Sequence, residues 1–191
     1  MNPWLVVLLV CVAATAPSPV RADKPLLEVA AEPAAKPWWQ RARWHARATA
    51  VHGVAIKRLH PQWCAADALR RAPLDEAVGA AEVERALAGR SFVLDGSFDG
   101  SGAAQRAFVG VYRRCDGEQG LFVAVVEPAR ERTRMRFLVE VPDPGSALAL
   151  LDREPDGTLA VWWCVDCDNG NRIAFNRERR EFYVAGPATR R

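Results

Sequence analysis

The sequence predicts an α+β protein in which an antiparallel β-sheet meander is accompanied by one or two short helices and stapled by disulfides. Three observations lead there. From Ser91 onward, short apolar runs alternate with connections that contain Gly100, Gly102, Gly117, Gly120, Pro142, Pro144, Gly145, Gly157 and Gly170. Such short connections join neighbouring strands in antiparallel fashion. Ala80 to Ala88 has helical period, with Ala81, Val83, Leu87 and Ala88 sharing a side. Finally, Cys64, Cys115, Cys164 and Cys167 remain once an N-terminal signal is removed, and an even count in an oxidising compartment reads as two disulfides.

The compartment is read from the first residues. Trp4 to Ala16 is almost wholly apolar, and Val20-Arg21-Ala22 offers a cleavage site. The run is too short to span a bilayer, and Pro17, Pro19 and Pro25 stop a helix behind it. Residues 1–22 therefore read as a signal peptide, and the protein as periplasmic or secreted with no membrane span. Cys11 comes after Leu8-Leu9-Val10, but Val10 stands where a lipobox has a small residue. Cleavage after Ala22 leaves 169 of the 191 residues with 25 basic and 23 acidic side chains. A balance of +2 points to no particular partner and gives no reason to expect nucleic acid. An apolar half of the composition excludes a disordered chain. Residues 23–37, rich in Ala and Pro, read as a flexible leader, 38–187 as a single domain and 188–191 as a tail.

Charge is unevenly spread. Lys36 to Arg71 holds eight basic residues against Asp67 alone, whereas 72–184 holds 14 basic and 19 acidic. Trp38, Trp39, Trp44 and Trp63 are interleaved with Arg41, Arg43 and Arg47. Arginine with aromatic side chains can grip a polyanion or a glycan by Coulomb attraction and stacking. The competing reading is that the arginine stems cover the protein's own apolar surface. The candidate binding residues are Trp38, Trp39, Arg41, Arg43, Trp44 and Arg47.

Further along, Ala50 to Leu59 reads as a strand with a bulge at Gly53, His60 to Cys64 as a turn, Ala65 to Arg71 as one or two helical turns, and Asp75 to Val78 as another. Helix 80–88 has Glu82 and Glu84 near its start and Gly89 as its stop. Strands are expected at about 91–95, 106–114, 120–127, 134–141, 158–164, 171–176 and 180–185. Apolar residues on both parities of 121–126 predict a strand buried on two faces. Ala147 to Leu151 reads as a short helix or a strand.

Trp163-Cys164-Val165-Asp166-Cys167 resembles the Trp-Cys-x-x-Cys of the thioredoxin family, which implies a redox pair whose first cysteine caps a helix. The next residues, Asp168-Asn169-Gly170-Asn171, make a turn instead of a helix start, and Asn-Gly between apolar runs signals a hairpin. Asp166 and Asp168 disfavour a thiolate. The pair reads as structural. Cys64–Cys115 with Cys164–Cys167 is the favoured connectivity; the alternative has each half of the Cys-x-x-Cys holding a distant cysteine.

Gly96-Ser97-Phe98-Asp99-Gly100-Ser101-Gly102, continuing to Gly110, resembles the calcium loop of FG-GAP-type repeats. The resemblance implies a calcium-shaped turn with Asp99 at a ligand position. Ser97, Ser101 and Gln105 stand where further aspartates would be, so the loop reads as a degenerate copy that shapes a hairpin without a metal.

No Ser-His-Asp or Cys-His set is assignable, and the carboxylates Glu127, Glu131, Glu140, Asp152 and Glu154 show no pairing by spacing. His45, His52 and His60 fit no familiar ligand pattern. The expectation is a non-catalytic binding protein without a cofactor. The favoured partner is a protein of the cell envelope, as for an inhibitor or immunity protein acting on an envelope enzyme; the alternative is a glycan or anionic polymer held by segment 38–71. A thiol-disulfide oxidoreductase using Cys164 and Cys167 is the third alternative.

Overall fold

The computed structural model describes residues 38–129, 133–142, 148–165 and 169–188, all within the unit Lys36–Arg191. The predicted signal peptide, leader and extreme C-terminal residues lie outside the described residues. After a 3₁₀ turn at Trp38–Arg41 comes a small hairpin, β1 (Ala50–Val51) and β2 (Val54–Ala55), then a single helical turn, α1 (Ile56–Leu59). Strand β3 (Trp63–Ala68) leads into helices α2 (Ala72–Val78) and α3 (Ala80–Leu87). Four strands come next: β4 (Val93–Gly96), β5 (Gln105–Arg114), β6 (Gln119–Glu127) and β7 (Arg134–Pro142). The last four are β8 (Leu150–Arg153), β9 (Leu159–Trp162), β10 (Gly170–Asn176) and β11 (Glu181–Pro187).

Among the described residues, strands account for 48% and helix for 15%, in three antiparallel sheets. The predicted α+β class with a single meander is thus corrected to a mostly-β architecture. The physical reason lies in β6. Leu121, Val123 and Val125 belong to one apolar core and Phe122, Ala124 and Val126 to another. A strand apolar on both faces needs a covering layer on each. The chain supplies two, so it cannot stay in one sheet. On one face lie the four-stranded sheet β11-β10-β9-β8 and the helix pair, with Leu150, Leu159, Ile173, Leu74, Val83 and Leu87. On the other lie Val51, Val54, Ile56 and Leu59 from β1, β2 and α1. Full burial of such a side chain contributes about 1.5–3 kcal/mol.

The same layering explains the local corrections. Residues 65–68 are strand, not helix, because they form the edge partner of β5. Gly53 sits in the turn of the β1–β2 hairpin and is not a bulge, and Ile56–Leu59 leave the extended path for a helical turn that buries Ile56 and Leu59. The tight Asn-Gly turn is also corrected. Gly170 already pairs with Trp162, and the Trp163 amide donates to the Asn169 carbonyl at 3.0 Å, so Asn169 and Gly170 belong to the strand pairing and not to a two-residue turn.

The edge of β5 is split. β3 covers Gly110–Arg114 and β4 covers Gln105–Phe108. Between them Val109 accepts from the Leu69 amide at 3.0 Å and donates to the Phe92 carbonyl at 3.1 Å. The helix pair is an excursion from one interrupted edge strand. Ser91 then bridges to Leu151, tying the large sheet to β8.

Two close approaches fix the packing between β5 and β6. Gly110 pairs across the strands with Phe122, and Tyr112 with Gly120. A β-carbon on Gly110 would stand 2.5 Å from the Phe122 ring, and one on Gly120 would stand 2.7 Å from the Tyr112 ring. Each aromatic ring lies over a cross-strand glycine. Trp63 stacks on Tyr112 at 4.8 Å, 3° from parallel, and meets Phe122 at 4.8 Å.

Candidate functional site

The segment after the first turn runs extended beside β3. Ala42 is buried, Trp44 and Ala46 are partly buried, and Arg43, His45 and Arg47 are exposed. This is the two-residue alternation of an extended chain lying on a surface. Three anchors hold it there. The Trp44 indole donates to the Arg70 carbonyl at 3.3 Å. The Asp67 carboxylate accepts from the backbone amides of Arg47 at 2.8 Å and Ala48 at 3.4 Å. Ala48 bridges to Ala66 in β3.

A cleft of about 360 Å³ opens along this segment, lined by Arg43, Trp44, His45, Arg47 and Arg70 together with Asp67 and Glu76. Asp67 is committed to the two amides, and its second oxygen lies 4.0 Å from an Arg70 guanidinium that is 74% exposed. Of the residues predicted from sequence, the fold brings Arg43, Trp44 and Arg47 together here. Trp38 and Trp39 meet edge to face at 5.8 Å and pack against the core, outside the cleft lining. The side chain of Arg41 lies outside the described residues. Arg70 and His45 were not among the predicted binding residues. Arg70 enters from the end of β3, and no local spacing announces that.

The cysteines occupy other places. Cys64 and Cys115 form a disulfide with Cα atoms 4.9 Å apart, closing β3 onto the end of β5. Cys164 is also disulfide-bonded. Cys167, its expected partner, lies outside the described residues.

The loop that resembles a calcium turn is held by hydrogen bonds. Asp99 is buried; one carboxylate oxygen accepts from the Ser101 amide at 2.9 Å and the Ser101 hydroxyl at 2.6 Å. The other accepts from Arg136 at 3.1 Å, and Arg136 also pairs with Glu127. Burial pushes the Asp99 carboxyl toward protonation; the Ser101 groups, Gln105 and Arg136 outweigh it and hold the carboxyl below its ordinary value. Gln105, itself buried, accepts from the Phe98 amide at 2.8 Å. A guanidinium thus faces the aspartate.

A third cluster was not foreseen. Glu140 in β7 accepts from the Trp63 indole at 2.6 Å and from Arg114 at 2.8 Å, with His60 at 3.8 Å. Burial opposes its ionisation, and Trp63, Arg114 and His60 outweigh that, so its carboxyl also lies below the ordinary range. The Tyr112 hydroxyl is buried without a hydrogen-bond partner among the described residues, and burial raises its pKa, with Glu140 and Glu118 adding to the rise. The one signal in the sequence is a carboxylate between Val139 and Val141 in an apolar strand.

The three histidines are dispersed. His45 faces the cleft, His60 lies against Trp63, and His52 packs on Phe108 at 4.7 Å. Burial, then Arg106, lowers the His52 pKa. Among the described residues no group of three or more His, Cys, Asp or Glu side chains could hold a metal ion, and no helix is long and apolar enough to cross a membrane.

Comparison with protein-family models, with curated protein sequences and with solved structures yields no match.

Proposed function

We propose that this is an exported, non-catalytic binding protein that holds an anionic polymer of the cell envelope along the cleft of Arg43, Trp44, His45, Arg47 and Arg70. The observation that carries the reading is the alternation of residues 42–47, which turns Arg43, His45 and Arg47 to the same exposed side. Residues two apart on an extended chain are about 6.6–7 Å apart. That gives a row of two guanidinium groups with an imidazole between them, suited to a chain with recurring phosphate or carboxylate groups. Guanidinium forks match both oxyanions, and the Trp44 ring beside them offers a flat apolar wall. Export is supported by the Cys64–Cys115 disulfide, which persists in oxidising compartments. A binding role is supported by the state of the enclosed carboxylates: Asp99 and Glu140 are each engaged by an arginine and by further donors, which makes them poor proton acceptors.

The test is binding of the purified protein to long-chain polyphosphate and to a polyuronate, measured across a salt series. Arg43→Ala with Arg47→Ala and Arg70→Ala should weaken binding at least tenfold and flatten its salt dependence while leaving the melting temperature within a few degrees. Unchanged affinity in the triple variant, or no affinity in the parent protein, would sink the reading. Recovery of one specific envelope protein in its place would favour an inhibitor or immunity protein.

A further inference from the structure

A second cleft, of about 520 Å³, opens where the Asp99 loop, the start of β7 and the β10–β11 turn converge. Its floor is Arg136, whose guanidinium lies over the rings of Phe175 at 5.6 Å and Phe182 at 5.9 Å. Asp99 and Glu127 both pair with that one arginine. The acids of the cleft are therefore spent on its floor. The remaining arginines of the lining are Arg134, Arg177 and Arg180, and none of them has a carboxylate partner among the described residues. Their neighbour Arg179, by contrast, is paired with Glu181 at 3.8 Å. Three like charges gathered on one concavity repel one another unless a counter-anion joins them.

Two backbone features bear on where Arg180 and Arg177 stand. Arg180 has φ of +57°, in the left-handed region, at a turn position that glycine would occupy without strain. The Arg177 guanidinium lies 3.2 Å from where a β-carbon on Gly100 would be, so the absence of a side chain at 100 lets it lean across the cleft toward the Asp99 loop.

We infer that Arg134, Arg177 and Arg180 form a second anion site, one that takes a compact polyoxyanion of the phosphomonoester or diphosphate class. Planar guanidinium forks donate in pairs to tetrahedral oxyanions, and several converging on one group favour a doubly charged phosphate over a single carboxylate. The same chemistry is carried by a soluble phosphate ester and by a phosphomonoester lipid headgroup. This site is independent of the Arg43–Arg47–Arg70 cleft, and each stands or falls without the other.

The experiment is calorimetric titration of the purified protein with pyrophosphate at low ionic strength. The parent protein should bind it. The variant Arg177→Gln with Arg180→Gly should lose at least tenfold in affinity, and because Gly relieves the left-handed position its melting temperature should hold or rise. Arg43→Ala with Arg47→Ala and Arg70→Ala should bind pyrophosphate as the parent does. Absence of binding, full affinity in the Arg177/Arg180 variant, or loss only in the Arg43/Arg47/Arg70 variant would each overturn the assignment. Flotation with phosphatidic acid vesicles against phosphatidylcholine vesicles assigns the source. Capture that depends on Arg177 and Arg180 identifies a lipid headgroup, and pyrophosphate binding without capture identifies a soluble ester.

Discussion

Arg136 and Asp99, 37 residues apart in the chain, form an ion pair at 3.1 Å in which the carboxylate side chain is 3% exposed and the guanidinium 13%. An ion pair so enclosed is costly to halve. Arg136→Met leaves Asp99 with its Ser101 donors but no counter-charge, at a cost of about 3 kcal/mol. Urea unfolding of the variant should register it as a lower midpoint with an unchanged slope. A loss under about 1 kcal/mol would mean that the Ser101 bonds alone satisfy the carboxylate.

Among the described residues four carboxyls are held below their ordinary values, and of these Asp99 and Glu140 are the enclosed ones that contribute to the acid limb of stability, beside the exposed Asp95 and Asp156. A carboxyl with a lowered folded pKa contributes stability above its unfolded value of about 4 and loses it as pH falls through the folded value. The urea midpoint should decline gently below about pH 6.5, where the lowered His52 pKa makes the folded state bind its proton less readily than the unfolded chain, and more steeply below about pH 5 as the carboxyls protonate. Asp99→Asn with Glu140→Gln should lower the plateau and shallow the fall. A double variant with the parent's acid slope would contradict this assignment.

Phe122 across Gly110 gives a steric prediction. Gly110→Ala places a methyl 2.5 Å from the ring and 2.5 Å from the Asp67 carbonyl, which should cost about 2–3 kcal/mol by overpacking. Trimming Phe122 to Leu in the same chain should recover part of that cost and not all, since the carbonyl stays in the way. A double-mutant cycle reads the coupling.

The Cys64–Cys115 bridge spans 51 residues. In the chain-entropy view, replacing both cysteines by serine should remove about 4 kcal/mol. Equilibrium unfolding of oxidised parent and variant measures it. A difference near zero would place the constraint in the β3–β5 pairing instead.

The strands from β5 to β7 and β9 to β11 were legible because each pairs with its sequence neighbour, so local alternation and turn residues sufficed. β3 was not. Its short, alanine-rich run has no strong period, and its strand character comes from β5, whose paired residues lie more than 40 positions onward. The sheet count was misjudged for a similar reason: apolar residues on both faces of β6 announce two covering layers but not which segments supply them. In the basic cleft, Arg43, Trp44 and Arg47 could be named from composition. Arg70 could not, because only the pairing of β3 carries it there. Glu140 and Trp63, 77 residues apart, meet by tertiary packing alone.

The interrupted edge of β5 bears on how this chain tolerates change. Departure at Leu69 and return at Phe92 are moored to the amide and carbonyl of a single residue, Val109. The intervening helices are, in the topology of the sheet, a long loop with fixed ends. Any segment grafted between those ends must therefore bring apolar groups to stand where Leu74, Val83 and Leu87 cover the sheet, while the docking points at Val109 preserve the hydrogen-bond ladder on either side.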